Sequence, residues 1–141
     1  MIILDTNVVS EPLKSGADQA VLKWLDAQAP ETLYLTTVSL AELLAGLEVM
    51  PAGRRRTALK SALMEQIAML FEGRILAFDR AAVDAFSRVY ASAQSTGNPI
   101  SFADCAIAGM AAANGFSIAT RNVRDFKGAG VTIIDPWTAA R

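Results

Sequence analysis

Fourteen acidic side chains occur in this sequence, and four of them fall just after apolar strand-like runs or in the first turns of helix-like stretches. Asp5 closes Ile2-Ile3-Leu4. Glu42 lies in Ser39-Leu40-Ala41-Glu42-Leu43, shortly after Leu33-Tyr34-Leu35. Asp104 follows Ser101-Phe102-Ala103, and Asp125 follows Thr120-Arg121-Asn122. No lysine adjoins Asp5, Glu42 or Asp104 in sequence. Carboxylates gathered without a cation raise one another's pKa, and a divalent ion removes that cost. An all-oxygen set of this kind suits Mg²⁺ or Mn²⁺. Asn122 can add an amide oxygen. Histidine is absent. That excludes a Ser-His-Asp triad, a Cys-His pair and a histidine-ligated zinc. The single cysteine, Cys105, excludes a zinc ribbon and an internal disulfide. With no histidine or lysine beside it to activate the thiol, Cys105 reads as a small buried residue.

For these acids to meet, distant segments must converge on one edge. Ile2 to Leu4, Leu33 to Leu35, Ile75 to Phe78 and Phe116 to Ala119 read as strands, with Val131 to Ile134 as a fifth. Between them lie helical stretches. Ser10 to Pro12 suggests a short helical turn. Asp18 to Ala29 is a helix capped by Asp18. Val38 to Val49 is helical until Met50-Pro51-Ala52-Gly53 breaks it. Arg54 to Phe71 carries Leu59, Leu63, Ile67 and Leu70 at spacings of three and four. Arg80 to Ser95 ends at Thr96-Gly97-Asn98-Pro99, and Ser101 to Asn114 ends at Gly115. Ser101 to Asp104 has the form of a capping box, so Asp104 is suited to capping as well as to ligation. Strands alternating with helices predict an α/β fold, a mostly parallel sheet covered on both faces. Such sheets bind ligands at the carboxyl ends of their strands. Asp5, Glu42, Asp104, Asn122 and Asp125 all fall at that edge.

The 141 residues, 52% apolar and 19% charged, suit one globular domain spanning 1–141. No run reaches the length of a membrane span, and the start has no charged region ahead of an apolar one, so neither a membrane anchor nor a secretory signal is expected. The net charge of −1 gives no overall attraction to nucleic acid. Local basic clusters stand at Arg54-Arg55-Arg56 with Lys60, and at Arg121, Arg124 and Lys127. The second follows the predicted fourth strand, beside the acids. Trp24 and Trp137 read as packing residues.

Four motifs occur in order over the chain: Ile3-Leu4-Asp5-Thr6-Asn7; Ser39 to Leu43 with Gly46; Ile100 to Asp104 with Ile107-Ala108; and Thr120-Arg121-Asn122 through Asp125-Phe126. Their order and spacing resemble PIN-domain ribonucleases. Among these the chain is most similar to the VapC toxins of bacterial toxin–antitoxin pairs, particularly the FitB-like branch, whose ending looks like Asp135-Pro136-Trp137. The resemblance implies a three-layer fold with a central parallel sheet of four to five strands between helices. It implies Mg²⁺- or Mn²⁺-dependent cleavage of RNA, with Asp5, Glu42 and Asp104 as metal ligands. Thr6, Asn7 and Asn122 would support them, and Thr120 and Arg121 would contact substrate phosphate. Asn122 stands where some relatives carry Asp, so either it or Asp125 completes the acid set. The resemblance further implies a cytoplasmic protein, a homodimer, and a cognate antitoxin held in a hetero-oligomer.

Other classes fit less well. An inactive PIN-like binding module would not need all three central acids. A phosphatase-like hydrolase that starts with a strand ending in Asp needs a second Asp two residues on, where this chain has Asn7. A receiver domain needs a lysine after a late strand. A nucleotide-binding site needs a Gly-rich phosphate loop, and none is present.

Overall fold

The computed structural model describes residues 1–139. Strand β1 (Ile2–Leu4) can be buried on both sides because successive side chains point to opposite faces: Ile3 enters one core and Leu4 the other, each fully buried. Around it lie β2 (Leu33–Thr36), β3 (Ile75–Leu76), β4 (Ser117–Ala119) and β5 (Ile133–Ile134). All pairings are parallel, in the order β3-β2-β1-β4-β5.

Helices α1 (Thr6–Ser10), α2 (Gln19–Asp26), α3 (Thr37–Glu48), α4 (Arg54–Phe71), α5 (Arg80–Ser95) and α6 (Phe102–Asn114) complete the layers. On one face, α5 and α6 bury Ala82, Val89 and the run Cys105 to Ala108 against Ile3 and Ile118. Their backbones approach so closely that a Cβ on Gly109 would stand 2.9 Å from the Phe86 nitrogen. Only glycine allows that approach. On the other face, Val8, Val9, Val21 and Trp24 join Leu63, Ile67 and Phe71 of α4 over Leu4, Leu33 and Leu35. Helix starts are fixed by side-chain caps at Asp18, Thr36, Asp79 and Ser101. Gly115 ends α6 with φ +69°, a left-handed conformation that glycine adopts without cost.

The predicted elements occur with shifts. The short helical turn expected at Ser10 to Pro12 is the 3₁₀ turn at Glu11–Leu13, and helix α1 precedes it from Thr6. Strand β3 stops at Leu76 because the chain turns back, with Asp79 N–H donated to the Ala77 carbonyl at 2.9 Å. Helix α2 ends at Asp26, and β5 holds only Ile133 and Ile134.

The strand order places the site. From β1 the chain builds outward through β2 to β3, then returns to add β4 and β5 on the opposite side of β1. The order therefore reverses between β1 and β4, and a crevice opens there at the carboxyl edge. Leu4 pairs with Ala119, so the next residues, Asp5 and Thr120, leave the sheet side by side. Among the described residues no helix is long and apolar enough to cross a membrane.

Candidate active site

Asp5 stands at the end of β1 and caps α1, and it is 5% exposed. Its Oδ1 accepts the Thr6 N–H at 2.8 Å, and its Oδ2 accepts the Thr120 hydroxyl at 2.8 Å. The Asp5 N–H is donated to the Ala119 carbonyl at 2.9 Å, so the sheet ladder continues into the site. Thr120 is fully buried, and its hydroxyl also accepts Asn122 N–H at 3.0 Å and Asn7 Nδ2 at 3.4 Å. One donor and two acceptor positions are all a hydroxyl has. Thr120 is thus fully engaged inside the protein, where it positions Asp5. Asn7 spans the crevice: its Oδ1 accepts the N–H of Arg121 at 3.2 Å.

The other acids arrive from three elements. Glu42 is exposed on the second turn of α3, and its Oε1 accepts the Thr6 hydroxyl at 3.1 Å. Thr6 therefore joins the Asp5 and Glu42 segments. At the start of α3, Thr36 caps the helix through Ser39 N–H at 3.0 Å, and both side chains are buried. Asp104 lies half-buried in the first turn of α6, where Ser101 Oγ accepts its N–H at 3.2 Å. Asp125 and Asn122 are exposed in the 3₁₀ segment after β4 (Val123–Phe126), with Asn122 as its first flanking residue.

Charge shows that these segments converge. Burial pushes Asp104 from 3.8 up to about 6, against a lowering hydrogen bond with Ser101; the charges of Asp5, Asp125 and Glu42 raise it further. Among the described residues no basic side chain lies within 4.0 Å of these four acids; the ion pairs that form involve Glu11 and Glu48. The cluster is uncompensated and all-oxygen, which is the chemistry a hard cation answers. Among the described residues, however, no three acids are drawn together tightly enough to enclose an ion directly. Mg²⁺ keeps several waters and takes one or two carboxylates, so a spread set of this kind suits a hydrated ion. A groove of about 490 Å³ lies elsewhere, between α3 and α4, lined by Leu43, Leu47, Leu59 and Leu63. Its lining is mostly apolar and holds none of the four acids, so the chemistry selects the sheet edge.

The bonds Thr120–Asp5 and Asn7–Arg121 link residues 115 and 114 positions apart. No sequence signal marked them as pairs. Arg121 is exposed, with its guanidinium 5.1 Å from the centre of the Trp137 ring. Trp137 packs against the core that holds Leu4 and Leu33, as its sequence reading expected, and the Arg121 contact adds a place at the site.

The family model for the PIN domain matches residues 2–130. A VapC ribonuclease, Y4jK, from Sinorhizobium fredii is 46% identical over 140 residues, which is 99% of this chain and 100% of that protein. Toxin FitB from Neisseria gonorrhoeae is 36% identical over 137 residues, covering 97% and 99%. The crystal structure of FitAcB from Neisseria gonorrhoeae superimposes with a TM-score of 0.92 at 36% identity, over 98% of this chain and 99% of that one. The chain belongs to the PIN-domain family, on the branch that holds the VapC ribonucleases and the FitB toxin.

Proposed function

We propose that this chain is a Mg²⁺- or Mn²⁺-dependent endoribonuclease and the toxin of a toxin–antitoxin pair. The observation that carries the reading is the uncompensated acid cluster at the switch point, with Asp104 raised by burial and by three neighbouring charges. Kinship with a VapC ribonuclease and a FitB toxin supports the substrate and the biological role. Asp5, Glu42 and Asp104 would hold the ion. When bound, it supplies Lewis acidity to a phosphodiester and an acidic water for attack at phosphorus.

The chain's own residues do the positioning. Thr120 and the Thr6 N–H fix the two oxygens of Asp5, so that carboxylate is aimed before any ligand arrives. Thr6 holds Glu42 toward the same edge. Asp125, exposed and unpaired among the described residues, is free to orient a water and accept its proton, and Asn122 offers an amide oxygen beside it. A partner antitoxin would silence the enzyme by placing a basic side chain against the cluster. The reading also takes a homodimer, acting on RNA in the cytoplasm.

The test is cleavage of a mixed RNA pool by purified protein with Mg²⁺ or Mn²⁺, with EDTA, and by the Asp5→Asn variant. Metal-dependent cleavage that disappears in the variant is the expected result. Wild-type turnover by a folded Asp5→Asn protein would sink the assignment. No cleavage by folded wild type under either metal would favour an inactive PIN-like binding module.

A further inference from the structure

Asp135-Pro136-Trp137 lies beside the acid edge, and its place in the fold gives it a part there. Ala119 of β4 pairs with Ile134 of β5, so the two strands leave the sheet together. One runs into Thr120-Arg121 and the other into Asp135-Pro136-Trp137. Asp135 Oδ1 accepts the Trp137 N–H at 2.9 Å and Pro136 is buried, which fixes the backbone that carries the indole. The Arg121 guanidinium lies 5.1 Å from the centre of that ring. At its other end, Arg121 donates its backbone N–H to Asn7 Oδ1 at 3.2 Å. Asn7 meets Thr120, and Thr120 holds Asp5. Arg121 is therefore tied by its backbone to the carboxylate frame and by its side chain to an aromatic face.

A polyanion approaching four acids needs a cation near them. Among the described residues, Lys14, Arg56 and Lys60 are paired with acids, and Arg74 is spent on three carbonyls. Arg121, Arg124 and Lys127 lie on the segment that leaves β4 at the acid edge. Of these three, Arg121 is the one whose side chain a described contact holds in place. Contact through the face of a ring uses the guanidinium plane and leaves its N–H fork free for two phosphate oxygens. Among the described residues that fork makes no hydrogen bond or ion pair.

We propose that Trp137 is a positioning residue that holds Arg121 as a phosphate grip, and that the ligand gripped is the backbone of single-stranded RNA next to the scissile bond. This rests on the nuclease reading, and the experiment separates the two. The probe is a fluorescein-labelled single-stranded RNA oligonucleotide. Its binding is followed by anisotropy with Ca²⁺ in place of Mg²⁺, and its cleavage by initial rates with Mg²⁺. Arg121→Ala and Trp137→Leu should each weaken binding roughly 3- to 10-fold, the range of a cation–π contact that is partly exposed. The double variant should bind no worse than Arg121→Ala alone, and Trp137→Phe should stay within about twofold of wild type because a ring face remains. In cleavage the loss should appear in KM, with kcat within about twofold, as for removal of uniform binding. The slope of log Kd against log salt should fall by about 0.7 for both single variants, which a merely structural loss would not produce.

Wild-type affinity in a folded Trp137→Leu protein, additive losses in the double variant, or no oligonucleotide binding by wild type would each overturn the proposal. Should Trp137→Leu fail to fold, Arg121→Lys replaces it. Lysine keeps the charge and loses the planar stack, so unchanged binding there overturns the proposal as well. Coupled binding losses without any cleavage would refute the nuclease reading and leave the grip standing. Cleavage with affinity indifferent to both residues would do the reverse.

Discussion

Replacing Asp104 with asparagine should stabilise the metal-free protein at neutral pH while removing a ligand the reaction needs. Burial, with the charges of Asp5, Asp125 and Glu42, raises Asp104 from 3.8 to about 6 in the folded chain. Between those values the folded state holds a proton that the unfolded state has released, so stability falls as pH rises through the interval. The contribution is complete below 3.8 and lost above about 6. A displacement of that size corresponds to about 3 kcal/mol at full strength, and solvent screening of this half-exposed group leaves about 1–1.5 kcal/mol. An asparagine side chain at this position has no proton to lose, and the backbone N–H that Ser101 caps is unchanged. Urea unfolding in EDTA, at steps from pH 4 to pH 8, measures the difference between the two proteins. The Asp104→Asn variant should gain little near pH 4 and about 1–1.5 kcal/mol by pH 7.5, with the rise centred between the two pKa values. Added Mg²⁺ should then stabilise wild type more than the variant, because only a state that binds the ion gains from it. A difference that is flat with pH would show that Asp104 feels neither burial nor its acidic neighbours, and the convergence of the four acids would fail with it.

Two further substitutions probe the frame and the core. Thr120→Val removes the hydroxyl that serves Asp5, Asn122 and Asn7, leaving buried groups unpaired. It should cost about 1–3 kcal/mol in urea unfolding and lower kcat, with Thr120→Ser recovering most of both; a stable, fully active valine variant would show that Asp5 is positioned by other means. Gly109→Ala forces a methyl to within 2.9–3.1 Å of backbone atoms of α5. Since backbone cannot swing aside as a side chain can, thermal unfolding should show a loss of about 1–3 kcal/mol, and an unchanged melting temperature would mean the two helices part easily.

Much of the frame was legible because its signals are local. Three apolar residues ending in Asp make a buried strand and its terminal acid, and the caps at Asp18 and Ser101 begin helices where their side chains reach forward to backbone N–H groups. Arg54 to Phe71 and Arg80 to Ser95 form helices with the predicted bounds, because breakers stand at their ends. Helix α1 was not legible. Thr6-Asn7-Val8-Val9-Ser10 is poor in helix formers, and five residues cannot sustain a helix alone. It forms because Asp5 caps it and because Val8 and Val9 are buried in the core. Asp5 and Asp125 could be placed at one edge from strand endings, and Glu42 and Asp104 from the starts of helices. The bonds that aim them could not, since Thr120 and Asp5 meet only through the β1–β4 pairing, which no local pattern specifies.

That contrast bears on how the site is built. The acids repel one another, so the cluster should scatter unless something else holds its segments. What holds them is neutral: a buried threonine hydroxyl on Asp5, a second threonine hydroxyl on Glu42 at the surface, and a serine hydroxyl on the Asp104 N–H. Each bond is also structural, closing the gap between two strands, joining α1 to α3, or capping α6. The energy that assembles the sheet and its helices therefore aims the carboxylates as well. Apolar burial on both faces of β1 sets the register, the register brings Asp5 beside Thr120, and the repulsion that remains is the charge a cation would neutralise. A variant that loosens the α1 contacts should accordingly lose metal affinity before it loses its fold. Val8→Ala is the direct case. It removes two methyl groups from a fully buried side chain, at a cost of about 1–2 kcal/mol at the mutational scale of core truncations. Calorimetric titration with Mn²⁺ should show weaker binding in a protein whose circular dichroism is unchanged, whereas wild-type affinity in that variant would mean that Asp5 is aimed independently of the core beneath it.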